Sequence, residues 1–443
     1  MQIKLSDRFN LKKLIKFALP SIGVMLFMSV YSVVDGFFVS NFAGKTEFAA
    51  VNFIYPLIMI LASVGFMFGA GGSALVSKTL GEGDRQKANE IFSLIVVASV
   101  VACTILSAVS IIFTRNIAEF LGSEGEMTEY CVLYGRILLA ATPFFALQFG
   151  LQQFLVVAER PRLAFYITLA AGLTNMIGDA LFIAGFKWGV VGAAAASALG
   201  QVVGGVIPLF FFIFGKNTTI RLGRPKFDGK ALLKSCFNGS SEFISNVSMS
   251  IVGIIFNYQL MQYLGENGVS AYGTFAYISF IFVAIFLGYT SGTAPIVGYN
   301  LGSGNKAELK NVFKKSFIII SVLSVIMVIL AEICAVPLSM LYVGYNAELY
   351  EITVRAILIS STVFLFSGFC IYGSGLFTAL NNGFVSGLLS TLRLLVFQVV
   401  AVLVLPVFLG VDGIWISITV SDALAAIVSL IFIFCYGKKK YGY

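Results

Sequence analysis

The chain has 443 residues, 58% of them hydrophobic and 11% charged, and a mean hydropathy of +0.95. Soluble domains are roughly a quarter charged, so this composition excludes a water-soluble enzyme and makes the bilayer the solvent. The net charge of +8 arises from 29 Lys and Arg against 21 Asp and Glu, and the absence of histidine removes the commonest metal ligand and the usual general base.

At about 20 apolar residues per crossing, the hydropathy pattern predicts twelve spanning helices. They fall near residues 17–39, 51–77, 91–113, 131–157, 163–185, 190–214, 236–263, 270–298, 316–340, 353–379, 386–409 and 413–436. Span 1 begins like a signal peptide, but it is long, carries Asp35 and lacks a small-residue cleavage site, so it reads as an uncleaved helix. Loops after odd-numbered spans hold few bases, chiefly Lys45, Arg115 and Lys187. Loops after even-numbered spans hold Lys78, Arg85, Lys87, Arg160, Arg162, the run from Lys216 to Lys234, and Lys306, Lys310, Lys314 and Lys315. Both ends join them, through Lys4, Arg8, Lys12, Lys13 and Lys16 and through Lys438, Lys439 and Lys440. By the positive-inside rule this basic side, with both termini, is expected to be cytoplasmic in an inner-membrane protein. Six cysteines, Cys103, Cys131, Cys236, Cys334, Cys370 and Cys435, contain no CxxC pair and fall mostly in apolar runs, which indicates neither a disulfide framework nor a zinc site.

Sliding the chain on itself by 221 residues brings Leu80 to Phe92 onto Leu301 to Phe313. The same offset pairs Gly44 with Gly265, Gly71 with Gly292, Ala158 with Ala379 and Gly189 with Gly410. An ungapped offset held along the chain argues for duplication of a six-helix unit, and an even number of spans per unit makes the copies parallel repeats. The expectation is an all-α membrane protein of two pseudo-symmetric six-helix bundles: residues 1–214, a linker at 215–235, and residues 236–443. The repeated Gly81-x-Gly83 and Gly302-x-Gly304 read as a turn and helix N-cap, through Asp84 and Asn305, and not as a phosphate loop.

Four acids are placed inside spans: Asp35, Asp179, Glu242 and Asp422. A carboxylate at the centre of a spanning helix costs about 2.5 to 3.5 kcal/mol on insertion scales, so such groups usually face an internal cavity. Asp35 lies about four residues, roughly 6 Å, from the end of span 1, and Asp179 about six residues, roughly 9 Å, from the end of span 5. Asn175 stands one turn from Asp179 on the same face, and Ser197 in span 6 sits near that height. Two acids, an amide and a hydroxyl are expected to converge there, the alternative being that each acid bonds separately to backbone or to Arg136. Glu242, about six residues into span 7, could act in coupling or reach interfacial water. Asp422, opposite Gln201 in the repeat, could handle substrate or bridge helices. The second half carries Phe256 and Val400 where the first has Asp35 and Asp179, which makes ion handling asymmetric. Asn257, Tyr258, Gln259 and Gln262 on span 7, and Gln148, Gln152 and Gln153 on span 4, are candidates for a cavity wall or for interhelical hydrogen bonds.

These residues resemble the multidrug and toxic compound extrusion (MATE) transporters, in a branch near MepA-like or DinF-like members. The resemblance rests on Leu19-Pro20, Val34-Asp35-Gly36, Gly81-Glu82-Gly83-Asp84, Pro161 and Gly189 to Ala194, in that order and spacing, and covers the whole chain. It implies two six-helix lobes around a V-shaped cavity and a monomer that exports small organic cations against H⁺ or Na⁺, with no other cofactor and no nucleic-acid partner. In those terms Asp35, Asn175 and Asp179 match the first-lobe cation site, which could hold Na⁺. Ser197 stands at a position often threonine, Pro20 at a helix kink, and Glu242 at a span 7 acid. The stretch from Phe364 to Leu380 lacks the acid some members carry, which moves weight onto the first lobe. The competing readings are a lipid-linked oligosaccharide flippase, which needs more bases than Arg136, Arg355 and Arg393 near spans, a major-facilitator carrier, and an embedded Mg²⁺-dependent prenyl transferase, which needs clustered aspartates.

Overall fold

A computed structural model describes residues 3–215, 218–344 and 346–442; Lys216 of the central basic loop lies outside them. The spanning helices are α1 Leu11–Ala43, α2 Lys45–Gly81, α3 Arg85–Leu121, α4 Glu126–Val157, α5 Pro161–Gly185 and α6 Gly189–Phe214. The helix Gly229–Gly302 is interrupted at Gly265, where φ 60° and ψ −148° are not helical, and so forms α7 (229–264) and α8 (266–302). Then follow α9 Lys306–Val343, α10 Ala347–Ala379, α11 Gly383–Leu409 and α12 Val411–Tyr441. Twelve helices agree with the expectation among the described residues, and no strand occurs among them.

The 221-residue repeat is realised in turn chemistry. Gly83 and Gly304 take φ 86° and 68°, and Gly189 and Gly410 take φ 55° and 58°, left-handed values that a side chain would strain. Asp84 Oδ1 accepts the Lys87 N–H at 2.9 Å and Asn305 Oδ1 accepts the Glu308 N–H at 3.0 Å, so both GxG elements are turns ending in N-caps.

The helices overrun the apolar spans, and the depths change accordingly. α7 starts at Gly229 under a cap from Asp228, inside the expected linker, which puts Glu242 about thirteen residues, roughly 20 Å, along it instead of six. α1 runs on to Ala43, so Asp35 lies about eight residues, roughly 12 Å, from its end. Glu332, within α9, is a fifth acid inside the expected spans, in addition to the four named from the sequence, and it is exposed.

In lipid, close packing replaces the hydrophobic effect as the force between helices, and small residues permit it. A Cβ on Gly71 would sit 2.0 Å from the Ser235 carbonyl, one on Gly239 1.9 Å from that of Met67, one on Gly81 2.0 Å from that of Tyr299, and one on Gly302 1.9 Å from that of Lys78. Gly288 and Gly292 of α8 meet α1 at Ile22 and Ala18 in the same way. All these crossings join α1–α6 to α7–α12 in the half of the molecule that carries the bases. A buried cluster with Leu14, Phe17, Tyr289, Ile296 and Phe377 fills the junction. Ahead of α1, Leu5 and Phe9 are buried, and their N–H groups donate to Glu159 at 2.7 Å and to Glu308 at 2.8 Å, one acid from each half of the chain. Burial pushes the Glu159 carboxyl above the usual carboxylate range.

Candidate cation site

Asp35 projects from α1, and Asn175 and Asp179 from α5, one turn apart. α5 and α6 approach closely because their contact is lined by small groups: a Cβ on Gly178 would meet Ala196, and one on Gly200 would meet Ala171 and Asn175. At Asp179 the helical turn widens to a π-helix that continues to Gly185, a local irregularity frequent at functional sites. Asp179 is fully buried and Asn175 is 4% exposed.

Asp35 and Asp179 are close enough to interact electrostatically, with the Asn175 amide beside Asp35. The Asn175 Nδ2 group donates to Ser197 Oγ at 3.2 Å, which ties α6 into the same cluster. The four residues expected to converge therefore do so. Asp35 Oδ1, both Asp179 oxygens, Asn175 Oδ1 and Gln201 Oε1 are buried and find no hydrogen-bond donor among the described residues. Arg136, the candidate ion partner, is exposed on α4 and makes no ion pair with either acid. Buried acceptors without donors each cost about 1 to 3 kcal/mol, more when charged, unless something electropositive enters. A proton or a small cation meets that requirement.

Asp422 is arranged in the opposite way. Arg393 Nε and a terminal nitrogen lie 2.8 Å from its two oxygens, and Ser367 Oγ also donates to it, so α10, α11 and α12 are tied by a satisfied ion pair. Of the two roles open to Asp422, the geometry favours bridging. Val400, the counterpart of Asp179, is 55% exposed, and Phe256, the counterpart of Asp35, is packed in the second-half core. Glu242 on α7 is partly exposed, has no ion pair among the described residues, and does not join the first-half cluster. Pro20 lies inside α1 near its basic end and lines a hollow there.

The proposed wall residues divide. Gln152 donates to Thr168 at 2.9 Å and Gln148 packs against Gly204, so both hold helices together. Asn257, Tyr258 and Gln262 are exposed on α7. Two residues escaped the sequence reading. Tyr31 stands four residues before Asp35 and Tyr134 is buried on α4, both in electrostatic range of Asp35. The spacing from Tyr31 to Asp35 was a usable signal, whereas nothing local marked Tyr134 among so many aromatics. No group of three or more His, Cys, Asp or Glu that could hold a metal occurs among the described residues.

Comparison with known proteins points one way. The MatE family profile matches residues 20–181 and 243–405, once in each half. The multidrug export protein MepA of Staphylococcus haemolyticus is 28% identical over 374 residues, 81% of this chain and 80% of the relative. MepA of Staphylococcus aureus is 25% identical over 431 residues, 96% and 93% of the two chains. Among solved structures, a MATE protein in complex with MaL6 superposes with a TM-score of 0.92 at 22% identity, covering 98% of this chain and 97% of that one. The outward-facing conformation of a multidrug resistance MATE family transporter of the MOP superfamily gives 0.91 at 23% identity over 98% and 97%. These likenesses establish the fold.

Proposed function

This chain belongs to the MatE family, and from that premise we propose that it is a secondary active transporter that exports small organic cations in exchange for H⁺ or Na⁺. The observation that carries the reading is the contrast between two buried acid sites. Asp422 has its arginine, while Asp35 Oδ1 and both Asp179 oxygens are buried with no hydrogen-bond donor and no base among the described residues. Two like charges 4 Å apart repel by about 4 kcal/mol at an effective dielectric of 20. One proton or one metal cation between the carboxyls relieves that repulsion, and an organic cation nearby does the same. The occupants are therefore alternatives, and alternation between them is the coupling. Such an exchange needs no cofactor beyond the coupling ion.

The positive-inside rule supports a basic side, with both termini, in the cytoplasm, and we take the membrane to be the inner one. The glycine crossings then close the cytoplasmic half. In that state the pair is loaded from outside; loading releases the exported cation, and rocking about the crossings returns the site inward. A potential of about 150 mV supplies roughly 3.4 kcal/mol per charge, a few-hundred-fold gradient.

The experiment is export of an ethidium-like dye from proteoliposomes under separately imposed pH and sodium gradients. Wild-type protein is expected to respond to one of them, and Asp35→Asn and Asp179→Asn each to lose the gradient-driven component while remaining monodisperse. Gradient-driven export by both variants at the wild-type rate refutes the assignment.

A further inference from the structure

The basic end of the first lobe contains a hollow of about 500 Å³ that the transport reading does not use. It lies between the start of α1, the α4–α5 turn, the start of α5 and the end of α6. Lys16, Arg160 and Arg162 stand around it with one acid, Glu159, while Pro20, Tyr166 and Phe211 supply apolar lining.

Three observations define what such a hollow takes. Its charge is net positive. The carboxylate of Glu159 accepts the Leu5 N–H at 2.7 Å, so part of its negative charge is already bonded to protein, while Lys16 and Arg162 are exposed. Polarity is also graded with depth. The two arginines sit at the very start of α5 and Lys16 about five residues into α1; Tyr166 lies one turn deeper, 62% exposed, and Pro20 about nine residues, roughly 14 Å, from the α1 start. A ligand that fits is anionic at the membrane surface and hydrocarbon below it. Finally, α5 begins here with Pro161 at its first turn, so its N-terminal dipole end adds to the attraction for an anion.

We propose that this hollow is a binding site for an anionic phospholipid, its phosphate held by Lys16, Arg160 and Arg162 and an acyl chain lying along Tyr166 and Phe211. The volume suits a headgroup with its glycerol, inside the range of small-molecule pockets, and leaves the chains to run out into the leaflet. Basic pockets between spanning helices on the positively charged side are the usual seat of anionic headgroups. Pro20 cannot donate a backbone hydrogen bond, which leaves α1 pliable where the lipid touches it. The bound lipid thus contacts the same helix that carries Asp35. The site stands whether or not Asp35 and Asp179 couple transport.

The test is binding of phosphatidylglycerol to the full-length protein in detergent, with phosphatidylcholine and free glycerol phosphate as comparison ligands. Wild type is expected to bind phosphatidylglycerol, and phosphatidylcholine and glycerol phosphate far more weakly. The double variant Lys16→Gln with Arg162→Gln should bind it about thirtyfold more weakly, since one base near an anionic surface is worth about a factor of five. Lys438→Gln with Lys439→Gln, which removes two exposed bases from the same face, should bind like wild type. Unchanged affinity in the first variant, or an equal loss in the second, overturns the site. Glycerol phosphate binding as tightly as the lipid assigns the hollow to a soluble anion and overturns the proposal as well. Should the first variant not fold, a photoactivatable phosphatidylglycerol on wild-type protein decides: cross-links mapping to α5 near Tyr166 or α6 near Phe211 support the site, and cross-links confined elsewhere refute it.

Discussion

Closure of the basic half depends on glycine at the crossing of α2 and α8, and Gly81→Ala is the smallest change that tests it. The added methyl carbon would lie 2.0 Å from the Tyr299 carbonyl oxygen and 2.9 Å from the Ser303 nitrogen. Ordinary contact begins at 3.4 Å, so it arrives about 1.4 Å too close, and both neighbours are backbone. No side chain can turn aside; the lobes must separate or a helix end must shift. Overpacking of this kind costs about 1 to 3 kcal/mol, and since the cost falls only on the closed arrangement it shifts the closed-to-open ratio about five- to 150-fold. Spin labels at Lys87→Cys and Lys310→Cys, exposed positions on either side of the crossing, report the separation in a background free of native cysteine. We expect a new population at longer distance in Gly81→Ala and in Gly302→Ala. Gly253→Ala, where an added carbon meets nothing within 4 Å, should leave the distribution as it is. A folded Gly81→Ala protein with the wild-type distribution would show that the crossing does not hold this half closed.

The ion pair of the second lobe predicts an asymmetric mutational response. Arg393→Gln strands the buried Asp422 carboxylate and should lower stability by about 3 to 5 kcal/mol, while Arg393→Met with Asp422→Leu should recover most of the loss; thermal unfolding in detergent measures both. Failure of the double variant to recover any stability would contradict a purely bridging role. Glu159 predicts a pH effect. Its native carboxyl binds a proton more tightly than the unfolded chain does, so the associated stability is present at low pH and lost as pH rises through the native value. Glu159→Gln should therefore flatten the melting-temperature profile, gaining on wild type toward alkaline pH; a gain confined to acidic pH would reverse the sign.

The twelve helices and their duplication were legible because a bilayer forces long apolar runs, and because turn glycines such as Gly83 and Gly304 recur where a left-handed backbone is required. The convergence of Asp35, Asn175, Asp179 and Ser197 was legible from approximate depth together with helix face, since helical rise converts residue counts into height and the spacing of four puts Asn175 one turn from Asp179. Depth measured from apolar span ends was less reliable. Helices extend past the hydrocarbon into the basic surface, so Glu242 proved much deeper than its span suggested. The pairing of Asp422 with Arg393 was hidden for another reason. Which of two acids meets a base depends on rotation of α11 and α12 about their axes, and a short polar pattern in an apolar helix does not fix rotation. The glycine contacts between lobes were likewise invisible, because a glycine at a crossing and a glycine in a turn look alike in one dimension.

The central claim is that the Asp35 and Asp179 pair exchanges a proton or metal cation for an organic cation. Infrared difference spectroscopy of the protonated-carboxyl band, recorded on reconstituted protein as an ethidium-like cation or Na⁺ is added at constant pH, tests it most directly. We expect the added cation to diminish that band in wild type and to leave no such change in Asp35→Asn or Asp179→Asn. Cation binding to wild-type protein without any change in the carboxyl region, or an identical change in both variants, would contradict the account.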